Sequence, residues 1–220
     1  MSIIEFFRRP PKYRYTMEEI EALENYIQEQ FGPIESVFHE KKSPDIHLDI
    51  YLFKPTPEDP FMKLVTVGVG AYTMNVPQEY KGLGMDRAEL VITLPENWNV
   101  KNFDERNYWP IRLLKQVGRL PILCETWIGE GHTISSETPE PFADSTKLNS
   151  CLLIDAQNKD FQQMSVLLPS GKKIRFYNIL PLYQEELDYK QKYGSAALVE
   201  ELIHAGVGLV IDPERVNVCK

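Results

Sequence analysis

The clearest hydrophobic pattern in the chain is a strict alternation over Ile46–Phe53. Four aliphatic residues share one side of this period-two repeat: Ile46, Leu48, Ile50 and Leu52. The other side carries two titratable and two aromatic residues: His47, Asp49, Tyr51 and Phe53. Because successive side chains of a strand point to opposite faces, the pattern predicts a strand with one face packed in a core. The second face is predicted to meet a ligand, a partner or another layer of the protein.

Four helices are predicted elsewhere in the chain. The first helix is predicted to begin at a capping box formed by Thr16 and Glu19 and to end at Gly32-Pro33. In the second, Pro110 is predicted to occupy the first turn and Pro121 to end the helix. Near the C-terminus, Pro181 is predicted to open one helix and Ser195 to cap a last one, which ends at Gly206 and carries three apolar residues: Leu198, Leu202 and Ile203.

Further alternating or apolar runs predict six more strands: Ile34–Glu40, Phe61–Gly68, Arg87–Leu94, Ser150–Asp155, Phe161–Leu168 and Lys172–Ile179. Gly68-Val-Gly70 lacks the third glycine of a dinucleotide fingerprint and predicts a loop with a tight backbone instead. The stretch Thr126–Asp144 is polar and predicts a long loop. Strands clustered among helices favour the α+β class, with a mixed, largely antiparallel sheet flanked by helices.

A length of 220 residues predicts one domain over 1–220. Its N-terminal part, 1–45, contains the lead-in at Arg8–Pro11 and the first helix. The net charge of -8 argues against a nucleic-acid or anionic-membrane binder and is compatible with a basic protein partner. The three cysteines form no CxxC pair, which predicts reduced thiols. With no secretory signal pattern and no membrane-length apolar run, a cytoplasmic protein is expected.

Five ionisable residues are candidates for chemistry: His47, Asp49, His132, Asp144 and Glu185. His47 and Asp49 share a strand face about 7 Å apart, so they could act together on a bound group. A metal site would need His132 and Asp144 as further ligands. The chain has no HExxH, no GxSxG and no paired metal carboxylates. We therefore expect no catalysis, no cofactor and no metal.

Several blocks of the chain resemble one known family. They are HLDIYLFKPTPEDP (47–60), LVTVGVGAYTMNVP (64–77), RAELVITLPENW (87–98), YWPIRLLKQVGRLP (108–121), TWIGEGHTI (126–134), PFADSTKLNSCLLI (141–154), FYNILPLYQEELDYKQKYG (176–194) and LVEELI (198–203). Their order and spacing resemble the suppressor-of-fused-like domain in its compact single-domain bacterial form. The resemblance runs from about His47 to Val218.

This resemblance implies binding rather than turnover. Animal members hold a transcription factor by clasping a short peptide between this domain and a second one, for which this chain has no room. Bacterial relatives are considered immunity proteins that neutralise polymorphic toxins, commonly nucleases. A nuclease must hold phosphates with Lys and Arg, so an acidic inhibitor could dock on the same surface.

The resulting hypothesis is a cytoplasmic immunity, or antitoxin, protein that binds a cognate toxin and is not an enzyme. Its predicted contacts are Asp49, Tyr51, Trp127, His132, Asp144, Glu185 and Glu186. One alternative is a regulatory module that takes an extended peptide onto a sheet edge without a toxin partner. Another is a small-molecule or metal-dependent enzyme built on four of the candidates: His47, Asp49, His132 and Asp144.

Overall fold

The structure, a computed structural model, describes residues 12–43, 45–136 and 138–220. The strands in these residues are β1 Ile34–Phe38, β2 Asp49–Phe53, β3 Phe61–Val67, β4 Ala88–Pro95, β5 Thr133–Ser135, β6 Ser150–Asp155, β7 Ser165–Leu167 and β8 Lys173–Leu182. The helices are α1 Met17–Phe31, α2 Glu105–Leu123, α3 Gln184–Tyr193 and α4 Ser195–His204. The predicted lead-in at Arg8–Pro11 lies outside the described residues.

The described strands join one eight-stranded sheet in the order β1-β2-β3-β4-β8-β6-β5, and β7 pairs with β8 beside this path. Strands β4 and β8 are parallel, whereas the other neighbours are antiparallel. The predicted α+β class with a mixed, largely antiparallel sheet flanked by helices is confirmed. No helix in the described part of the chain is both long and apolar enough to cross a membrane.

Both faces of the sheet are covered, which answers the question raised by the alternation around β2. Its aliphatic residues pack in a core with α2, whose Trp109 is completely buried. Tyr51 and Phe53 point to the opposite face and pack with Leu23 and Ile27 of α1. The polar and aromatic face of β2 therefore meets a second layer of the same protein. A third apolar cluster lies under α3 and α4: Leu152, Leu180, Leu182, Leu198 and Leu202.

The capping box of α1 is confirmed. The Thr16 hydroxyl accepts a hydrogen bond from the Glu19 N–H at 3.2 Å, and the Glu19 carboxylate accepts one from the Thr16 N–H at 2.9 Å. Lys172, from the turn before β8, pairs with the other Glu19 oxygen at 2.7 Å. The helix start is thus tied to a hairpin distant in the sequence.

Several predicted strands are shorter in the structure. β1 ends at Phe38. Two residues later, the Glu40 N–H donates to the Asp49 side chain and not to a main-chain carbonyl of the ladder. β2 begins at Asp49 rather than Ile46, which forms only an isolated bridge. β7 covers only Ser165–Leu167 because an Asn158-centred turn occupies the residues before it.

Predictions based on three prolines were wrong. α2 begins at Glu105 after the Asp104 cap, so Pro110 and Pro121 lie inside the helix, where their burial in the core offsets the lost hydrogen bonds. Pro181 lies in β8 and does not open a helix. Its carbonyl points away from β6 and accepts from Arg215 at 2.9 Å, so the missing N–H removes no ladder hydrogen bond.

Two other local predictions also changed. The stretch predicted as a loop over Thr126–Asp144 contains strand β5, whose three residues pair with β6. In α4, Ser195 is the first helical residue rather than the cap, and Ile203 is 66% exposed while Leu198 and Leu202 are buried.

A fully buried carboxylate, Glu89 on β4, ties the centre of the sheet together. Five hydrogen bonds of 2.6–3.3 Å reach it, from the Tyr15 and Thr66 hydroxyls and the N–H groups of Gly68, Val69 and Gly70. The tight backbone predicted for this glycine segment is confirmed: Gly68 has a φ of 136°, and a Cβ there would lie 1.9 Å from the His47 carbonyl oxygen.

At pH 5, where the raised pKa keeps Glu89 protonated in the folded protein, we expect Glu89→Gln to destabilise the protein by about 2 kcal/mol. The NH₂ group carries one more N–H than the carboxylic acid has O–H, and this buried N–H would be unpaired among groups that already donate. Urea unfolding should show the loss, with the exposed Glu96→Gln as the control. An equal free energy of unfolding for both variants would contradict the role of this carboxylate.

The same residue predicts a pH dependence. Burial raises the pKa of Glu89 to about 7, against the opposing hydrogen bonds from Thr66, Gly68 and Gly70. The folded protein holds the Glu89 proton more tightly than the unfolded chain does. The stabilisation from this proton is complete below the unfolded pKa and is lost as pH rises through the folded pKa. Between about pH 5 and pH 7, the unfolding free energy of the wild type relative to Glu89→Gln should fall by up to about 1.4 kcal/mol per pH unit. A rise over this interval would contradict the assignment.

Candidate functional site

The sheet ends at β5, a short strand that pairs only with β6 among the described strands. Leu153 of β6 directs its N–H to the His132 carbonyl and accepts from the Gly131 N–H, both at 2.9 Å. By the alternation of an antiparallel ladder, the main-chain groups of Thr133 and Ser135 point outward. Unpaired main-chain groups on an edge strand can pair with an extended segment of another chain.

An aromatic cluster lies immediately before β5. The Trp127 ring contacts His132 edge-on, with 4.3 Å between ring centroids, and lies 5.1 Å from the Tyr80 ring. Gly129 makes the loop possible, because a Cβ at this position would lie 2.8 Å from the indole. All three rings are half-buried, so each also presents a surface to solvent. The structure therefore brings two of the predicted contact residues, Trp127 and His132, into direct contact.

The imidazole of His132 is in a setting that disfavours its charge. Burial lowers its pKa, and the nearby Lys190 ammonium lowers it further. Lys190 is held close to β5 by a 3.4 Å hydrogen bond to the Thr133 hydroxyl. Neutral His132 offers both a donor and an acceptor at the edge of the sheet.

A groove of about 340 Å³ runs beside β5, between this strand and α2. Arg112 of α2 supports its wall by donating to the Phe142 carbonyl and to the Glu105 carboxylate, each at 2.6 Å. Asn149 at the groove donates to Pro139 and Gln184 at 3.2 Å, but its buried side-chain oxygen has no partner among the described residues. The groove thus has a mixed apolar and polar lining, with an unpaired acceptor buried in its wall.

Asp144 lies on the same side of the protein as this groove. It is exposed and lines an adjoining cavity of about 450 Å³. Four residues line both cavities: Arg112, Glu140, Pro141 and Phe142. Three predicted contacts, Trp127, His132 and Asp144, are therefore associated with the β5 end of the sheet.

The structure places Asp49 and Tyr51 elsewhere. They lie on β2, five strand positions from β5, or about 24 Å at the usual strand spacing. Both are buried, and Tyr51 packs under α1, where it donates to Glu24 at 2.8 Å. Burial and this hydrogen bond raise the pKa of Tyr51. Asp49 accepts from the Glu40 N–H at 2.9 Å and contacts two imidazoles at 2.9 and 3.3 Å, those of His39 and His47.

The two predicted glutamate contacts also differ from each other. Glu186 is completely buried and pairs with Arg215 at 2.5 Å. It also accepts from the N–H groups of Tyr183 and Val218, at 3.0 and 3.1 Å, so its polar capacity is used inside the protein. Glu185 is exposed and accepts from the Asn217 side chain at 2.8 Å. The seven predicted contacts do not form one surface.

Sequence reasoning missed Tyr80, Arg112 and Asn149. The blocks containing Arg112 and Asn149 stood out in the chain, but their meeting depends on α2 packing beside β5. The residues considered for a metal site are separated, because His47 and Asp49 lie near β2 and His132 lies near β5. In the described part of the chain, no three His, Cys, Asp or Glu side chains are grouped so as to hold a metal ion.

Comparisons with known proteins agree with this architecture. A sequence model of the family described as Suppressor of fused protein (SUFU) matches residues 44–216. The uncharacterized protein UU111 of Ureaplasma parvum serovar 3 is 24% identical over 218 residues, covering 94% of this chain and 99% of the relative.

Solved structures share the fold at low sequence identity. A SUFU (suppressor of fused protein) homolog from Neisseria gonorrhoeae FA 1090 has a TM-score of 0.63 at 17% identity, covering 92% of this chain and 98% of that chain. A chain of the Sufu-Fu complex has a TM-score of 0.65 at 15% identity, covering 96% of this chain and 93% of that chain. For Drosophila Suppressor of Fused the TM-score is 0.60 at 14% identity, covering 91% of this chain and 51% of that chain.

The contact between Trp127 and His132 predicts a fluorescence titration. Protonated imidazole quenches an adjacent indole, so Trp127 emission should fall on acidification with a midpoint below 6.5, the ordinary pKa of histidine. Subtracting the Trp127→Phe spectrum isolates this signal from that of Trp98 and Trp109, and His132→Asn should abolish the transition. A midpoint at or above 6.5 would contradict the described environment of the imidazole.

Proposed function

Because this chain belongs to the suppressor of fused family, we propose that it is a non-catalytic protein-binding domain that receives an extended partner segment at the outer edge of β5. The observation that carries this proposal is the outward-facing main chain of Thr133 and Ser135, placed between a groove and an aromatic cluster. Main-chain pairing would supply affinity, and the groove would select side chains of the partner. The Sufu-Fu complex supports this, because there a protein of this fold is joined to a protein partner.

We further propose that the partner is a cognate toxin and that this chain is its immunity protein, acting in the cytoplasm. The net charge of -8 supports a partner with a basic surface, such as a nuclease. Exposed carboxylates occur on the side of the proposed site: Glu130 precedes β5, and Glu140 and Asp144 line the two cavities there. Opposite charges on the two proteins would accelerate association and make it sensitive to salt.

The interface is proposed to centre on Trp127, His132 and Asp144. Aromatic side chains near the centre of an interface often contribute most of its binding energy. Glu185 is exposed and could extend the contact, whereas Asp49, Tyr51 and Glu186 would act by supporting the fold. A regulatory peptide without a toxin remains the second candidate, since the free edge of β5 suits any extended segment.

The test is co-expression and binding with the product of a toxin-like gene adjacent to the gene for this chain. We expect growth rescue and a stable complex that elutes as one species in size-exclusion chromatography. Ser135→Pro should weaken binding at least about tenfold, because it removes an outward N–H without removing a ladder hydrogen bond. Ser135→Ala is the matched control, because it keeps the main-chain N–H.

Three outcomes separate the candidates. Absence of both binding and rescue would overturn the immunity role. Equal affinity of Ser135→Pro and Ser135→Ala would overturn strand addition at β5 even if a complex forms. Association that does not slow as NaCl is raised would overturn the proposed basic partner surface.

A further inference from the structure

A second concave site lies on the opposite face of the sheet from α2. There α1 covers one apolar cluster and α3 with α4 covers another, and a cavity of about 630 Å³ remains between them. Its floor is the sheet itself, at the point where the parallel strands β4 and β8 separate. The two strands pair from Ala88 with Arg175 to Val91 with Asn178. Further along β4, Thr93 pairs with Val210 of the C-terminal segment and not with β8.

The walls of this cavity are largely aliphatic. α4 and the segment after it contribute side chains that include Val199, Leu202, Ile203 and Leu209, while Leu180 lies on the floor. Ile203 and Leu209 are 66% and 36% exposed at its rim. A volume of this size is within the range that small-molecule sites occupy.

Two polar side chains on the floor of the cavity are buried and without a protein partner among the described residues. Thr93 of β4 and Asn178 of β8 are 5% and 7% exposed, and both line the cavity. Neither side chain has a hydrogen-bond partner in the part of the chain that the structure describes. By contrast, the buried Glu89 on β4 has five donors. A hydroxyl and a carboxamide that face an apolar cavity without protein partners are typical of groups that orient a ligand.

The charges around the cavity limit the kind of ligand. Three carboxylates line it, those of Glu58, Asp59 and Asp155, against the ammonium groups of Lys63 and Lys159. Lys63 is paired with Asp59 at 2.9 Å. An anionic head group would therefore meet a net negative rim, whereas a neutral amide could donate to and accept from Asn178 and Thr93 at once.

We propose that this cavity binds a small neutral acyl amide, with its alkyl chain against the α4 wall and its amide group on Asn178 and Thr93. The site is independent of the β5 edge, because it lies on the other face of the sheet and shares no lining residue with the groove there. A ligand here would also contact α1, β6 and α4 together, so binding would stabilise their arrangement.

The experiment is a titration of the ¹⁵N-labelled full chain with octanamide, followed by NMR. We expect chemical-shift changes at Thr93 and Asn178, including the Asn178 side-chain amide, and little change at Ser135. Asn178→Leu and the nearly isosteric Thr93→Val should each weaken binding at least about tenfold, since each removes a hydrogen bond inside an apolar cavity. Gln191→Leu, on an exposed face of α3, is the control and should leave the affinity unchanged.

Octanoate supplies the same chain with an anionic head group, and we expect it to bind at least about tenfold more weakly. Equal or tighter binding of octanoate would overturn the neutral amide assignment. Absence of shift changes at Thr93 and Asn178 up to the solubility limit of octanamide would overturn the site. Should Asn178→Leu fail to fold, an unchanged affinity of folded Thr93→Val would by itself contradict the proposed polar floor.

Discussion

The carboxylate of Glu89 is where separate parts of the chain meet in the middle of the sheet. Tyr15 reaches it from the segment before α1, Thr66 from β3, and the glycine turn supplies main-chain N–H groups. The same turn approaches the His47 carbonyl so closely that Gly68 has no space for a side chain. Burying a carboxylate costs free energy unless donors surround it. Moving any of these segments away would remove a donor, so Glu89 holds them together.

This arrangement decides which surfaces are available for function. Because α1 and α2 cover opposite faces of the central strands, the polar positions of β2 are enclosed, and Asp49 and Tyr51 are occupied by internal hydrogen bonds. Among the described residues, the outer edge of β5 and the gap between α1 and α4 are two places without such cover. They lie at an end and on a face of the same sheet, so the two proposed sites share no surface.

Local rules predicted the elements whose determinants are near in sequence. The Thr16 and Glu19 capping box and the alternation around β2 need only neighbouring residues, and both occur as expected. The prolines show where such rules fail. Pro110 is tolerated inside α2 because the core stabilises it, and Pro181 is tolerated in β8 because its main chain faces Arg215 rather than a paired strand. Neither compensation is visible from the residues beside the proline.

The candidate site divides in the same way. An aromatic and polar stretch around Trp127 and His132 could be recognised in the sequence, as could the family resemblance and the acidic charge. Only the tertiary structure decided that β5 is an edge strand, that Glu186 is buried on Arg215, and that Thr93 and Asn178 face a cavity. The reason is physical: periodicity reports which side of an element a residue occupies, whereas exposure depends on what distant segments pack against that side.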